Sequence, residues 1–272
     1  MLIYGKEIRE RIKKDISAQT LNNPMKMVII QVGEDEASQS YIRGIQKFAV
    51  ESGVKVEIIS FPAETSEDQV INTINKLNSD PGITGIMLQT PLPDHLSTSR
   101  LVNTIDYTKD VEGIHNYNLG KLISRQDGVK PSTPQAVITL LKENNIPIKG
   151  QKVTIIGRSM TVGGPLSVMM TAENGTVTLC HSKTRNLKKE TLNADILVAA
   201  MGQKHFITPD MVTEDVVIMD VGTNFDETGS MFGDVHDEAK SKAKIASAVP
   251  GGIGVITVAE LFNNLRFLSK SN

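Results

Sequence analysis

At 272 residues the chain is longer than a usual single domain of about 100 to 150 residues, which predicts two domains. With 39% hydrophobic and 22% charged residues and a net charge of -2, nothing global calls for nucleic acid or an anionic membrane as partner. Chemistry on a small molecule is the expected class.

The opening "MLIYGKEIRERIKKDI" carries charges throughout and has no apolar signal-type run, and no stretch approaches the roughly 20 apolar residues that span a bilayer. A soluble, cytoplasmic protein is expected. "GKEIRERIKKDI" has a helical charge pattern, and "KMVIIQVG" reads as a buried strand. "ASQSYIRGIQKFAVESG", residues 37 to 53, reads as a helix on which Tyr41 and Ile45, four apart, share a face. "VKVEIISF" alternates like a strand, "SEDQVINTINKLNSD" opens on a helix-capping signal, and "ITGIMLQT" is a strand again. This rhythm predicts an α/β fold with a parallel sheet covered by helices.

Polar segments then interrupt the apolar pattern. "LQTPLPDH" puts Gln89 at a strand end, "TKDVEGIHNYNLGKL" gathers Asp110, Glu112 and His115 around Gly113, and "SQSY" opens the helix that carries Tyr41. Ligands bind at the C-terminal ends of strands in such sheets, which makes these segments candidates for a site. Each has an ordinary alternative: Gln89 capping a turn, Asp110 paired with Lys109 or Lys121, and Tyr41 half buried with its hydroxyl in water.

"TPQAVITLLKENN", residues 133 to 145, predicts a helix with Thr133 as N-cap and Pro134 at its first position. After "IPIKGQ" a second β/α series follows, with strands at "KVTIIG", "TVTLC", "DILVAA", "VVIMDVG" and "AKIASAV" and a final helix at "TVAELFNNLRFL". The expected domains are residues 1–145 with 255–272, and residues 146–254.

"KVTIIGRSMTVGGPLSVMM" runs from a β-branched strand through Gly157, Gly163 and Gly164 into an apolar helix. Such a turn aims backbone N–H groups and a helix dipole at phosphate, and a dinucleotide is the natural ligand. The spacing is not G-x-G-x-x-G, no lysine follows to make a Walker loop, and a purely structural turn is the alternative. "TLCHSKT" carries His181, Ser182 and Lys183 where an NAD site usually has an acid. With Arg158 in the first turn, this favours a 2′-phosphate, hence NADP over NAD; a solvated polar loop fits the bare residues equally. "GRSMT" lacks the second glycine of a nucleophile elbow, so Ser159 is expected to bond phosphate rather than to act as a hydrolase nucleophile. Cys180 is the only cysteine, so an intramolecular disulfide and a cysteine-based zinc site are excluded. His95, His115, His181, His205 and His236 show no metal-ligand spacing, and no metal is expected.

Eight segments together carry a resemblance: "VGEDEASQSYIRGIQKFAVESGV", "GIMLQTPLPDH", "TKDVEGIHNYNLGKL", "KPSTPQA", "IIGRSMTVGGP", "TLCHSKT", "GDVHDEA" and "PGGIGVITVAEL". In this order they resemble the signature blocks of the methylenetetrahydrofolate dehydrogenase/methenyltetrahydrofolate cyclohydrolase family, FolD in bacteria. The resemblance implies two α/β domains around a cleft, the second a Rossmann-like NADP-binding domain, the first taking tetrahydrofolate one-carbon derivatives, in a homodimer. It implies Tyr41 stacking on folate, Gln89 tuning a catalytic lysine, and Glu112 at the position of the aspartate that holds the pterin, with Asp110 beside it. Pro250, Gly251 and Gly252 line the cleft in the family. Thr133, Gly157, Arg158, Ser159, Ser182, Thr223, Gly254 and Thr257 match cofactor positions.

The departures are informative. The family's active-site helix reads Y-x-x-x-K, and here the position four after Tyr41 is Ile45. Lys47 lies about 200° around the helix from position 45 and matches a second, non-catalytic lysine of the family. Glu112 for aspartate moves the carboxylate by up to roughly 1.5 Å. "PSTP" for P-C-T-P, Ala136 for glycine and "GVIT" for G-P-M-T are milder changes. The expectation is an NADP-dependent methylenetetrahydrofolate dehydrogenase with weak or lost cyclohydrolase activity. A fully bifunctional enzyme and a catalytically silent folate- or nucleotide-binding homologue are the alternatives.

Overall fold

The computed structural model describes residues 1–33 and 36–270. Glu34 and Asp35 of the "VGEDEASQSYIRG" block lie outside the described residues. The chain divides into two compact units. The early unit is Glu10–Lys130 with Val258–Asn272, and the late unit is Met1–Arg9 with Pro131–Thr257. Elements are numbered along the whole chain.

In the early unit, β2 (Lys26–Val32), β3 (Lys55–Phe61) and β4 (Gly85–Leu88) form a parallel sheet in the order β3-β2-β4. The central strand is apolar on both faces, and Met27, Val28, Ile29 and Ile30 are all 0% exposed, as a strand covered on two sides must be. The helices are α1 (Lys6–Thr20) from Glu10 onward, α2 (Glu36–Ser52), α3 (Glu67–Ser79), α4 (Thr98–Thr104) and α5 (Asn116–Ile123), with the end of α10 (Ile253–Leu268). α3 and α4 cover one face through Val70, Ile74 and Leu101, which pack with Val28, Ile30 and Leu88. α2 meets α10 through the Phe48 and Phe262 rings, 4.6 Å apart. The expected capping signal of α3 is present: the Ser66 N–H donates to Gln69 Oε1 at 3.2 Å. Its other end is closed by buried Lys109, whose Nζ donates to the carbonyls of Leu77, Asn78 and Asp80. Burial lowers the pKa of this lysine, and three carbonyls at a helix C-terminus offset that cost.

The late unit holds a parallel sheet, and among the described residues its order is β1-β11-β8-β7-β5-β6. These strands are β1 (Leu2–Ile3), β5 (Lys152–Ile156), β6 (Thr176–Cys180), β7 (Ile196–Ala199), β8 (Val217–Asp220) and β11 (Ile245–Ser247). A short antiparallel hairpin, β9 (Asn224–Phe225) with β10 (Met231–Phe232), follows β8. The helices are α6 (Ser132–Glu143), α7 (Gly163–Ala172), α8 (Leu187–Leu192), α9 (Asp237–Lys242) and the start of α10. β6 lies on one side of β5 and β7 on the other, so the strand order reverses at β5. In open parallel sheets the crevice outside that reversal is where ligands bind.

The units divide at Lys130/Pro131, ahead of the expected boundary near residue 146. The reason is α6, whose Ala136, Val137, Leu140 and Leu141 are buried and which packs on α7. Thr133 is not its N-cap: α6 begins at Ser132 after Pro131, so Thr133 sits within the first turn. The final helix starts at Ile253, earlier than "TVAEL" suggested. Among the described residues, no helix is long and apolar enough to cross a membrane.

Candidate functional site

In the late unit the site begins with sterics. β5 ends at Gly157, whose φ of 114° suits glycine and whose N–H donates to the Cys180 carbonyl at 3.0 Å. A Cβ here would lie 2.1 Å from the Ala200 oxygen, and one on Gly163 would lie 1.8 Å from the Gly157 oxygen. The glycines are therefore dictated by backbone packed on backbone at the β5/β7 reversal. Ser159 Oγ accepts from the Val162 N–H at 3.1 Å, and Gly164 N–H donates to the Ser159 carbonyl at 2.9 Å. The Ser159 hydroxyl thus closes the turn that starts α7, and its proton stays available to a ligand oxygen.

Arg158, Ser159 and Ser182 are exposed at the ends of β5 and β6. The turn after β6 is fixed by His181 N–H to Thr184 Oγ1 at 2.8 Å and Lys183 N–H to His181 Nδ1 at 3.1 Å. Cys180, at the end of that strand, is buried in the core, and burial raises its thiol pKa. Thr223 is exposed after β8. Pro250 is exposed, whereas Gly252 is buried, with a Cβ there reaching 2.3 Å from the Ala248 oxygen. Gly251 accepts from the Gly5 N–H at 2.8 Å. Gly254 is exposed in the first turn of α10, and the Thr257 hydroxyl donates to the Ile253 carbonyl at 3.2 Å.

In the early unit the candidates gather at the C-terminal end of β4. Gln89, 6% exposed, donates through Nε2 to Thr90 O at 2.6 Å and Ser38 Oγ at 3.1 Å. These two bonds orient the amide and leave Oε1 buried without a partner. Ser38 opens the α2 face that continues through Tyr41, half-buried, to Ile45, 0% exposed. The face is therefore two things: partly open at Tyr41 and core at Ile45.

Asp110 pairs its backbone beside Ile86 of β4 and points inward, 2% exposed. Its carboxylate accepts from Gly113 N–H at 3.0 Å, His115 N–H at 2.8 Å and Asn118 Nδ2 at 2.8 Å. Burial raises its pKa against those three donors. Asp110 thus folds the 110–118 loop, and Lys109 turns away to α3. Glu112, held beside the Leu88 N–H, has its pKa pushed up to about 8, first by desolvation and then by the Asp110 charge. The loop ends with His115 capping α5, its Nδ1 accepting from the Tyr117 N–H at 3.0 Å.

Gln89, Glu112 and Asp110 are brought together as the sequence suggested, with Tyr41 on the helix bonded to Gln89 through Ser38. Asn118 and buried Asp234 of the late unit were not singled out in the sequence as site residues. Nothing in local pattern marks an asparagine at residue 118, or an aspartate at residue 234, as a hub for distant backbone. Among the described residues, no group of three or more His, Cys, Asp and Glu could hold a metal ion.

Comparison with known proteins bears on both units. Residues 131–272 match the model "Tetrahydrofolate dehydrogenase/cyclohydrolase, NAD(P)-binding domain", and residues 3–112 match its "catalytic domain" counterpart. The chain is 63% identical to bifunctional protein FolD 2 of Syntrophomonas wolfei, over 99% of both chains. It is 43% identical to bifunctional protein FolD of Clostridium novyi, over 96% of this chain and 95% of that one. Among solved structures, it superposes on the bifunctional FolD of Campylobacter jejuni with a TM-score of 0.95 at 34% identity, covering 100% of this chain and 99% of the other. It also superposes on the Trypanosoma brucei FolD, solved with NADP cofactor and an inhibitor, with a TM-score of 0.94 at 27% identity, covering 100% and 97%.

Proposed function

The chain belongs to the tetrahydrofolate dehydrogenase/cyclohydrolase family, and on that premise we propose an NADP-dependent 5,10-methylenetetrahydrofolate dehydrogenase whose cyclohydrolase step is weak. What carries the second half is that Ile45 is fully buried and that the buried Gln89 Oε1 lacks a donor. A lysine at position 45 is the family's pattern, and a lysine is a donor.

The two steps differ in what they ask of side chains. In oxidation, the one-carbon bridge loses hydrogen with both bonding electrons, leaving the methenyl cation, and no proton has to be handled. NADP, when bound, supplies the acceptor for those electrons. The protein's part is positioning, which an apolar residue at position 45 does not prevent. Hydrolysis adds water to the cation and releases a proton on the way to 10-formyltetrahydrofolate. General acid–base help, typically worth about 10²–10⁴-fold, is absent from isoleucine.

The remaining residues take roles that suit their places. Tyr41 offers a half-buried ring for stacking, and Glu112, with Asp110 shaping its loop, offers a carboxylate to the N–H edge of the pterin. In the late unit, Gly157 and Gly163 leave a turn in which a Cβ would collide with backbone, so the chain itself can lie close to a pyrophosphate. Arg158, Ser159, Ser182 and Thr223 are exposed around it, joined in the proposal by Thr133, Gly254 and Thr257. No acid follows β6, which supports NADP over NAD. Pro250, Gly251 and Gly252 are assigned to substrate contact on the family pattern. A cytoplasmic homodimer is the remaining part of the reading, and light scattering on the purified protein tests the dimer.

A fully bifunctional enzyme is the second reading. It is favoured by Glu112, a carboxyl with its pKa near 8 beside the end of β4, which could take the proton that lysine takes elsewhere. The deciding assay gives purified protein methylenetetrahydrofolate with NADP and then NAD, and follows methenyl formation and hydrolysis separately. Fast hydrolysis with Ile45 in place sinks the split. Ile45→Lys is expected to raise hydrolysis by at least about tenfold while leaving oxidation within about threefold. Tight binding of folate and NADP with no turnover would instead identify a silent homologue.

A further inference from the structure

β7 and β8 end in loops that flank the β5/β7 reversal, and one carboxylate ties them together. Asp234, 0% exposed, accepts through Oδ2 from the N–H groups of Met201 (2.7 Å) and Gly202 (3.0 Å). Through Oδ1 it accepts from Gln203 N–H (2.8 Å) and Asn224 Nδ2 (3.0 Å). Its own N–H donates at 2.9 Å to Asp220 Oδ1, and Asp220, 1% exposed, is paired with buried Lys240 at 2.8 Å. The clamp is tight: a Cβ on Gly222 would lie 2.2 Å from Asp234 Oδ1.

Position gives the clamp a meaning beyond stability. The 201–203 loop follows Ala200, whose N–H donates to the Ile156 carbonyl at 2.9 Å and whose oxygen abuts Gly157. Asn224 follows Thr223 directly. Asp234 therefore sets one wall of the crevice at the strand reversal, although it is buried beneath it.

We propose that Asp234 is the positioning residue of the dinucleotide crevice, holding the 201–203 loop and the Thr223–Asn224 segment in the arrangement that binds NADP. The proposal rests on the reading that the late unit takes a dinucleotide. Four donors converge on one carboxylate without a neutralising side chain in direct contact among those bonds, so an amide of the same shape turns one acceptor into a donor facing N–H groups. Loss of such a buried partner is expected to be worth about tenfold or more in ligand affinity once the wall relaxes.

The test uses Asp234→Asn in the full chain, with calorimetric titration of NADP and, separately, of a folate ligand, and thermal melting as a check on folding. The expected result is NADP bound about tenfold or more weakly and KM for NADP raised in parallel, with folate affinity and kcat at saturating NADP within about threefold. A folded variant with wild-type NADP affinity overturns the proposal, as does equal weakening of both ligands. Should Asp234→Asn fail to fold, Asn224→Ala, which removes one of the four donors, decides. It is expected to weaken NADP about two- to fivefold with folate unchanged, and unchanged NADP affinity overturns the proposal. Absence of any NADP or NAD binding by the unaltered protein would strike the dinucleotide reading itself, which the variants' behaviour does not touch.

Discussion

The glycine-rich turn of the late unit and the carboxylate corner of the early unit are both built at the ends of parallel strands, by opposite means. In the turn, backbone packs on backbone, and Gly157 and Gly163 are there because a side chain would collide with a carbonyl. At the corner, side chains organise the backbone: Asp110 folds the 110–118 loop, and Gln89 is oriented by Ser38 and Thr90 O. A site made by sterics tolerates almost no substitution but has little to titrate. A site made by polar side chains carries groups that titrate, Glu112 among them, and its behaviour then depends on pH.

The sharpest way to break that contrast is Gly163→Ala. Its Cβ would sit 1.8 Å from the Gly157 oxygen, so the turn must open. We expect a cost of about 3 kcal/mol, seen as more than about 100-fold weaker NADP binding, with folate binding within about threefold. Normal NADP affinity in a folded variant would mean that the turn is not held by that contact.

The next effect concerns protons. Glu112 titrates near 8 in the folded chain against a usual 4.5, so it is largely neutral at pH 7. If its carboxylate accepts from the pterin edge, folate affinity rises with pH and levels off above 8, losing about tenfold from pH 9 down to pH 7. Stability runs the other way. Folding favours the neutral form, so the contribution is complete below about 4.5 and is lost as pH rises through about 8. Glu112→Gln should flatten both slopes; titrations of folate and melting curves at several pH values would expose a slope that survives the substitution.

Lys109→Met is the mildest in ligand terms. It frees the three α3 carbonyls that Nζ now satisfies, and about 1 to 3 kcal/mol of stability should go with them. Denaturant unfolding measures this, and unchanged NADP affinity is expected. Weakened NADP binding would join the two corners more closely than their construction suggests.

What could be read in the sequence follows the same division. Strands β2, β4, β5, β7 and β8 and the turn after β5 were visible because burial on two faces writes continuous apolar runs, and sterics writes glycine, while the half-buried β3 showed itself by alternation. Gln89 and Glu112 stood out by interrupting such runs. The bonds that organise the sites did not: Ser38 and Gln89 are joined across 51 residues, and Asp234 reaches Met201 across 33. The assignment of α6 to the late unit depends on which helix covers it, and Thr133 loses its capping role because the helix starts two residues sooner. The isoleucine at position 45 was legible in the sequence, whereas its complete burial and the orphaned amide oxygen of Gln89 required the fold.

The pairing of β1 with β11 has a consequence for synthesis. Leu2 and Ile3 lie beside Ala246 and Ser247, which follow them by more than 240 residues in the chain. β2, β3 and β4 can pair as soon as Leu88 is available, so the early sheet can assemble on the nascent chain while the edge of the late sheet stays open. The β1 segment is then a clock for completion of the late sheet. Protease cleavage within it should stop only when residue 247 has emerged, well after the early sheet is protected.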